Sequence, residues 1–286
     1  MANQSLLDLK TFKIRDWISI KIPTLGEYRK LKNISELVNM FTTTPSAHMI
    51  ELDDMGIDFT QISDYEFFLK LFDTAFVKPQ VLMTCDISDD DKINLLSTLQ
   101  IIDSNELFDC VDFNSCYIDN ENGLKTIKDI EGNQIIDEFI YMQISSALCE
   151  IFNVKKYKRK PGNNTAKEYI LEREREKAEI AKRRNKQLQM SDDILDGEIV
   201  ALVCHPGFPY DFDSINNISI YNFYTCVKQV IKKDQYDKLV TGAYSGFGTV
   251  KLDKLPEDKL NWLSWSSTAR LESFLFFRRK NYGYSD

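Results

Sequence analysis

A chain of 286 residues with 43% hydrophobic and 12% aromatic side chains carries enough apolar material for a buried core and too much for a disordered segment. Its formal charge of −8 opposes long-range attraction to a polyanion such as nucleic acid. No apolar run approaches the ~20 residues of a membrane span, and the start, MANQSLLDLKTFKIRDW, lacks the charged-then-apolar layout of a secretory leader. A cytosolic protein without a membrane partner is therefore expected.

Along the chain, the strict alternation in ISIKIP (18–23) predicts a half-buried strand. TLGE follows, with Thr24 and Glu27 at capping-box spacing, so a helix should begin near Pro23–Thr24. In TTTPSAHMIELDDMG, Thr44 is expected to cap a helix, Pro45 to take its first position and Gly56 to end it. Ser63 and Glu66 form a second capping box ahead of DYEFFLKLFDTAF. There Phe67, Phe68, Leu71, Phe72, Ala75 and Phe76 keep one apolar face at helical period, the signature of a core-facing helix. The acidic run DISDDDK (86–92) fails as a calcium loop, because Asp91 stands at the glycine position and Ser97 where a glutamate is needed. Between Val111 and Gly132 the pattern changes to short strands. Asn122-Gly123, set between CYID and LKTIKDI, signals a two-residue hairpin. Helical period returns in IIDEFIYMQISSALCEIF, with Ile140, Ile144, Leu148 and Ile151 as the stripe.

A basic stretch follows, interrupted by Pro161-Gly162. Residues 1–154 hold 12 Lys/Arg against 26 Asp/Glu, residues 155–186 hold 13 against 5, and residues 187–286 hold 11 against 13. This partition predicts an acidic N-terminal domain (1–154), a basic, mixed-charge linker or helix (155–190) and a helical C-terminal region (191–286). KKYKRK, one tyrosine among five cations, fits loosely with phosphate neutralisation and base stacking. However, KEYILEREREKAEIAKRRNK (167–186) interleaves five glutamates with eight cations, placing Glu172 near Arg175 and Glu179 near Arg183 on a helix. Charges of both signs suit an exposed helix better than a phosphate-tracking surface. A solvated linker and a partner-binding helix both remain open. On the second reading the contact cations are Arg173, Arg175, Lys182, Arg183, Arg184 and Lys186.

Beyond the basic stretch, Ser191 is expected to cap a helix through ILDGEIVALV, with Asp192 and Asp193 in its acidic first turn. CHPGFPYDF breaks it. Ser219 should cap a helix with the stripe Ile220, Phe223, Tyr224, Val227, Val230 and Ile231, and Tyr236, Leu239, Val240, Ala243 and Tyr244 continue the pattern to the glycines of SGFG. A short helix entered through Pro256 and an apolar LESFLFF complete the chain.

Chemistry is not written into these elements. The six cysteines form no C-x-x-C pair, and the two histidines, His48 and His205, offer no paired metal-ligand spacing. TGAYSGFGTVK (241–251) matches neither phosphate-loop pattern and follows a helix rather than a strand. Ser245 is flanked by Ala243 and Phe247 where a nucleophile elbow needs glycines. A non-enzymatic protein with no cofactor and no metal is the expectation.

Four segments carry a family resemblance: ISIKIPTLGEYRKL; IELDDMGIDFTQISDYEFFLKLF; IIDEFIYMQISSALCEIFNVKKYKRKPGN; and SISIYNFYTCVKQVIKKDQYDKLVTGAYSGFGTVKLDKLPEDKLNWL. In this order, over roughly residues 15–263, the chain resembles tail assembly chaperones of phages and prophages of low-GC Gram-positive bacteria. The resemblance implies a non-enzymatic tail morphogenesis factor of the host cytoplasm, engaging the tape measure and tail tube proteins and absent from the mature virion. It carries no catalytic residues. Alternatives are a structural virion component, such as a baseplate or tail-completion protein, and a nucleic-acid-binding accessory protein. Opposite charges in the acidic half and the basic helix would also favour a homo-oligomer. The fold expected is α+β, mainly α-helical, with a small antiparallel sheet or hairpin in the N-terminal part.

Overall fold

The computed structural model describes residues 6–31, 33–79, 102–109, 111–121, 123–185, 193–206 and 208–244. Strand β1 (Thr11–Arg15) pairs antiparallel with β2 (Ile18–Lys21), Phe12 opposite Ile20, with an irregularity between Lys13 and Arg15. β3 (Phe108–Asp109) joins the other side of β2. The alternation of ISIK is realised as expected, with Ile18 and Ile20 fully buried and Ser19 and Lys21 partly exposed. β1 was not legible in the sequence. Its residues are half-buried or exposed, so the period-2 signal is weak, and pairing with β2 makes it a strand.

The short helix α1 (Leu25–Tyr28) starts on the expected capping box: Glu27 N–H donates to Thr24 Oγ1 at 3.2 Å and Thr24 N–H donates to Glu27 Oε2 at 2.8 Å. Gly26 has a tertiary role here. A Cβ at that position would lie 3.1 Å from the Asn216 carbonyl oxygen, so the neighbouring backbone would have to give by a few tenths of an ångström to admit a side chain. α2 (Ile34–Thr42) follows, then a 3₁₀ turn (Pro45–His48) and α3 (Met49–Asp54), which ends before Gly56 at a φ of +72°. Pro45 opens the 3₁₀ turn, but Thr44 does not cap it. Its hydroxyl donates instead to the Tyr157 carbonyl, more than a hundred residues away.

α4 (Asp64–Phe72) has the Ser63/Glu66 capping box and passes into a π-helical turn, Asp73–Val77. Of the expected apolar face, Phe67, Phe68, Phe72 and Phe76 are buried. Tyr65 and Leu69 are buried, whereas Leu71 and Ala75 are half-buried; Leu71 lies between two apolar clusters. The second sheet consists of β4 (Cys116–Glu121), β5 (Leu124–Asp129) and β6 (Gln134–Ile136), all antiparallel. Its first hairpin closes with Glu121 opposite Leu124, the register a two-residue Asn-Gly connection specifies. α5 (Glu138–Ile151), capped by Asp137, buries Ile140, Ile144, Leu148 and Ile151 as expected. It also buries Ser145, whose hydroxyl donates to the Phe41 carbonyl at the end of α2.

The long helix α6 (Asn164–Asn185) takes up the second part of the basic stretch, and α7 (Asp193–Val203) and α8 (Ile220–Tyr244) follow. Ser219 caps α8 by accepting the Asn222 N–H at 3.1 Å. The expected stripe of α8 holds for Ile220 and Phe223 and frays towards Ile231, which is half exposed. Several sequence expectations lie outside the described residues: the Ser191 cap, the acidic run 86–92, the hairpin residue Asn122, the cation Lys186, the glycines of SGFG and the elements after Pro256. The fold is α+β, mainly helical, with small antiparallel sheets near the N-terminus.

Aromatic rings fill the centre of the main core. Phe41 lies 4.6 Å from Phe68, 5.2 Å from Phe108 and 6.0 Å from Phe113, while Phe68 stacks on Tyr141 at 4.7 Å. The same cluster includes Ile199, Leu202, Ile215, Ile220 and Phe223 from beyond the basic stretch. Backbone bonds join the two parts directly: Leu25 N–H donates to Ile218 O and Ile220 N–H donates to Pro23 O, each at 2.8 Å. A second, smaller cluster comprises Met49, Leu52, Phe59, Phe67 and Leu171.

Candidate partner-binding surfaces

The basic stretch starts where α5 ends, at Phe152, and Asn153 turns the chain with φ of +55°. From there it runs back over the start of α4. Lys158 Nζ reaches Asp64 at 2.6 Å and Lys156 Nζ approaches the same carboxylate at 3.8 Å while lying 5.5 Å from the Tyr141 ring centroid. Burial pushes the Lys156 ammonium below its ordinary pKa, against the pull of Asp64. Arg159 N–H donates to Ser46 Oγ at 3.1 Å, adding to the bond between Thr44 and the Tyr157 carbonyl. The Tyr157 hydroxyl accepts from Arg159 Nε at 2.8 Å and donates to Glu174 at 3.1 Å. Lys156 and Lys158 of the stretch the sequence offered to phosphates are therefore drawn to the protein's own Asp64, and Arg159 to Tyr157, over whose ring its guanidinium lies at 5.2 Å.

α6 begins on Asn163, whose side chain accepts the Ala166 N–H at 2.8 Å. Its first half docks on α3. Leu171 is 5% exposed and completes the small cluster with Met49, Leu52, Phe59 and Phe67. On either side of it, Lys167 pairs with Asp58 at 2.8 Å, and Arg175 with Asp53 and Asp54, both at 2.7 Å. Lys167 and the Thr60 N–H and hydroxyl hold the Asp58 carboxyl down to about 2. Because this lies below the unfolded value of ~3.9, its stabilisation is present above that value and is lost as pH falls towards about 2. Asp58→Asn should therefore lower the melting temperature near neutral pH, with the gap to the parent closing on acidification through that window. Thermal melts of both proteins against pH check this.

Of the six cations selected from sequence, the structure separates three situations. Arg175 is an internal clamp on α3 rather than a partner of Glu172. Arg173 is exposed, with its guanidinium 5.7 Å from the Tyr169 ring centroid. Lys182 and Arg183 are exposed near the far end, where Arg183 reaches Glu179 at 3.4 Å as its i,i+4 spacing suggested. Arg184 is part of the helix, while its side chain and Lys186 lie outside the described residues.

A second surface went unseen in the sequence because β1 did. Between β1 and α5 lies a cavity of about 250 Å³, walled by Leu6, Phe12, Ile14, Ala147 and Ile151, with Lys13, Gln143 and Glu150 as polar lining. Phe12 and Ile14, two residues apart, project from the same face of β1; that spacing was the available signal. Among the described residues no group of three or more His, Cys, Asp or Glu side chains is placed to hold a metal. His48 packs against Phe67 at 5.3 Å and His205 stands 3.7 Å from Asp234. Burial pushes the Cys116 thiol up to about 12, a value that leaves no thiolate near neutral pH. No helix among the described residues is long and apolar enough to cross a membrane.

Residues 186–266 match the family model described as YomV second domain, which belongs to a phage-related family. The described part of that stretch comprises α7, α8 and the turn between them, whose buried faces join the main core. No curated protein and no solved structure matches the chain.

Proposed function

We propose that this chain is a non-enzymatic phage tail morphogenesis factor, a tail assembly chaperone that engages the tape measure protein, the tail tube protein or both in the host cytoplasm and does not remain in the virion. The match of residues 186–266 to a phage-related family carries the reading. The cavity between β1 and α5 supports it physically. A long helical client exposes apolar side chains until its tube encloses it, and an apolar groove with a few polar groups receives an amphipathic helix. Lys13 and Gln143 add polar groups to its lining.

Recovery of tail proteins on the tagged chain from phage-producing cells, paired with mass spectrometry of finished particles, tests the reading. Tape measure or tube protein should be recovered, and the chain should be missing from particles. Recovery of no tail component sinks it, and a stoichiometric presence in particles makes the chain a structural component instead. Within this reading, Ala147→Glu sets a carboxylate into the apolar wall. It should reduce client recovery at least tenfold, the equivalent of ~1.4 kcal/mol, with the far-ultraviolet circular dichroism spectrum retained. Unchanged recovery would remove the cavity as the client site.

A further inference from the structure

α6 has two faces, and the docked one is only half of it. Lys167, Leu171 and Arg175, four residues apart, turn towards α3. On the opposite side of the helix, Tyr169, Arg173, Glu176 and Ile180 follow at spacings of four, three and four, which places them on a single stripe. All four are exposed, the two apolar members at 58% for Tyr169 and 49% for Ile180. Single exposed apolar side chains are ordinary; two that bracket an Arg/Glu pair on a heptad-like seam are an arrangement to be explained.

The order of residues along that seam is its own complement. Reversed by a two-fold axis crossing the helix between Glu174 and Arg175, the stripe apolar–cation–anion–apolar meets apolar–anion–cation–apolar. Tyr169 of one copy then faces Ile180 of the second, and Arg173 faces Glu176, each contact occurring twice, as a two-fold interface requires. A parallel arrangement would instead place Arg173 on Arg173 and Glu176 on Glu176. We propose that the outer face of α6 is a self-association surface, joining two copies of this chain by antiparallel pairing of Tyr169, Arg173, Glu176 and Ile180.

The contact runs about 17 Å along each helix, from a rise of ~1.5 Å per residue, and is therefore at the small, reversible end of protein interfaces. It leaves the cavity between β1 and α5 untouched and does not depend on what the client is. Its charge pairs sit in the middle of a short, solvent-accessible contact, so association weakens as salt rises.

Sedimentation equilibrium of the full chain and its charge variants tests the proposal. The parent should show a concentration-dependent monomer–dimer equilibrium. Arg173→Glu sets a carboxylate against Glu176 of the partner in each contact, and Glu176→Arg a guanidinium against Arg173, so each variant alone should associate at least tenfold more weakly. An equimolar mixture of the two single variants should recover association as a heterodimer, and the chain carrying both changes should dimerise like the parent. Circular dichroism establishes that the helices are retained, since both positions are exposed and substitution there leaves the core intact. A parent that stays monomeric up to its solubility limit, single variants that associate like the parent, or a mixture that gains nothing over its components would each overturn it.

Discussion

Phe41→Ala is expected to cost about 3–5 kcal/mol and to lower stability across the whole described fold. Phe41 is fully buried and touches rings from four separate places in the chain: Phe68 of α4, Phe108 of β3, Phe113 and Tyr141 of α5. The neighbours are held by their own helices and strands and cannot close over the vacancy, so the transfer loss and the cavity cost add. Its carbonyl also accepts the Ser145 hydroxyl, which fixes the end of α2 against α5. With total stabilities of ~5–15 kcal/mol for native domains, the variant should unfold at markedly lower denaturant. Because Ile199, Leu202 and Phe223 share this cluster, α7 and the start of α8 should lose protection together with α2 and α5. Chemical denaturation followed by circular dichroism, with hydrogen exchange to map the loss, measures both parts. A transition confined to residues before 155 would contradict a common core.

Leu171→Ala should behave differently. It removes a buried leucine at a cost of about 2–4 kcal/mol, yet from a cluster of five buried residues separate from the main core. Besides the half-buried Ile170, α6 is tied there by the pairs of Lys167 with Asp58 and of Arg175 with Asp53 and Asp54, and partly exposed ion pairs are worth only ~0–1 kcal/mol each. The expected result is local release: hydrogen exchange over residues 164–185 accelerates while α2 and α5 keep their protection. Arg175→Ala should move the same amides in the same direction by much less. Global unfolding in Leu171→Ala would mean that α6 is an integral part of the main core.

The mixed charge of KEYILEREREKAEIAKRRNK pointed correctly to a helix exposed along much of its length, because i,i+4 charge spacing is a local property. Which of its cations are committed was not legible. Arg175 is taken by Asp53 and Asp54, and Lys158 by Asp64, through contacts across roughly a hundred residues of chain. The cavity was missed with β1, whose strand character rests on pairing with β2 rather than on its own pattern.

Where the determining partners lie within about four residues, the sequence decided the outcome alone. The Thr24/Glu27 and Ser63/Glu66 capping boxes, the Asn122-Gly123 hairpin register, the inward face of α5 and the serine cap of α8 all arise from hydrogen bonds and turn conformations closed inside a single element. Thr44 shows the limit: its spacing suited a cap, but the Tyr157 carbonyl was a better-placed acceptor once the chain had folded back. The charge change at 155–186 was also visible in the sequence, but it does not mark an end of the core. Burial follows where apolar faces meet, not where charge changes sign, so the first turns of α8 pack with Leu25 and Phe41 in one cluster. Only the tertiary structure could decide that, since a hydrophobic face specifies that it will be covered and leaves open by what.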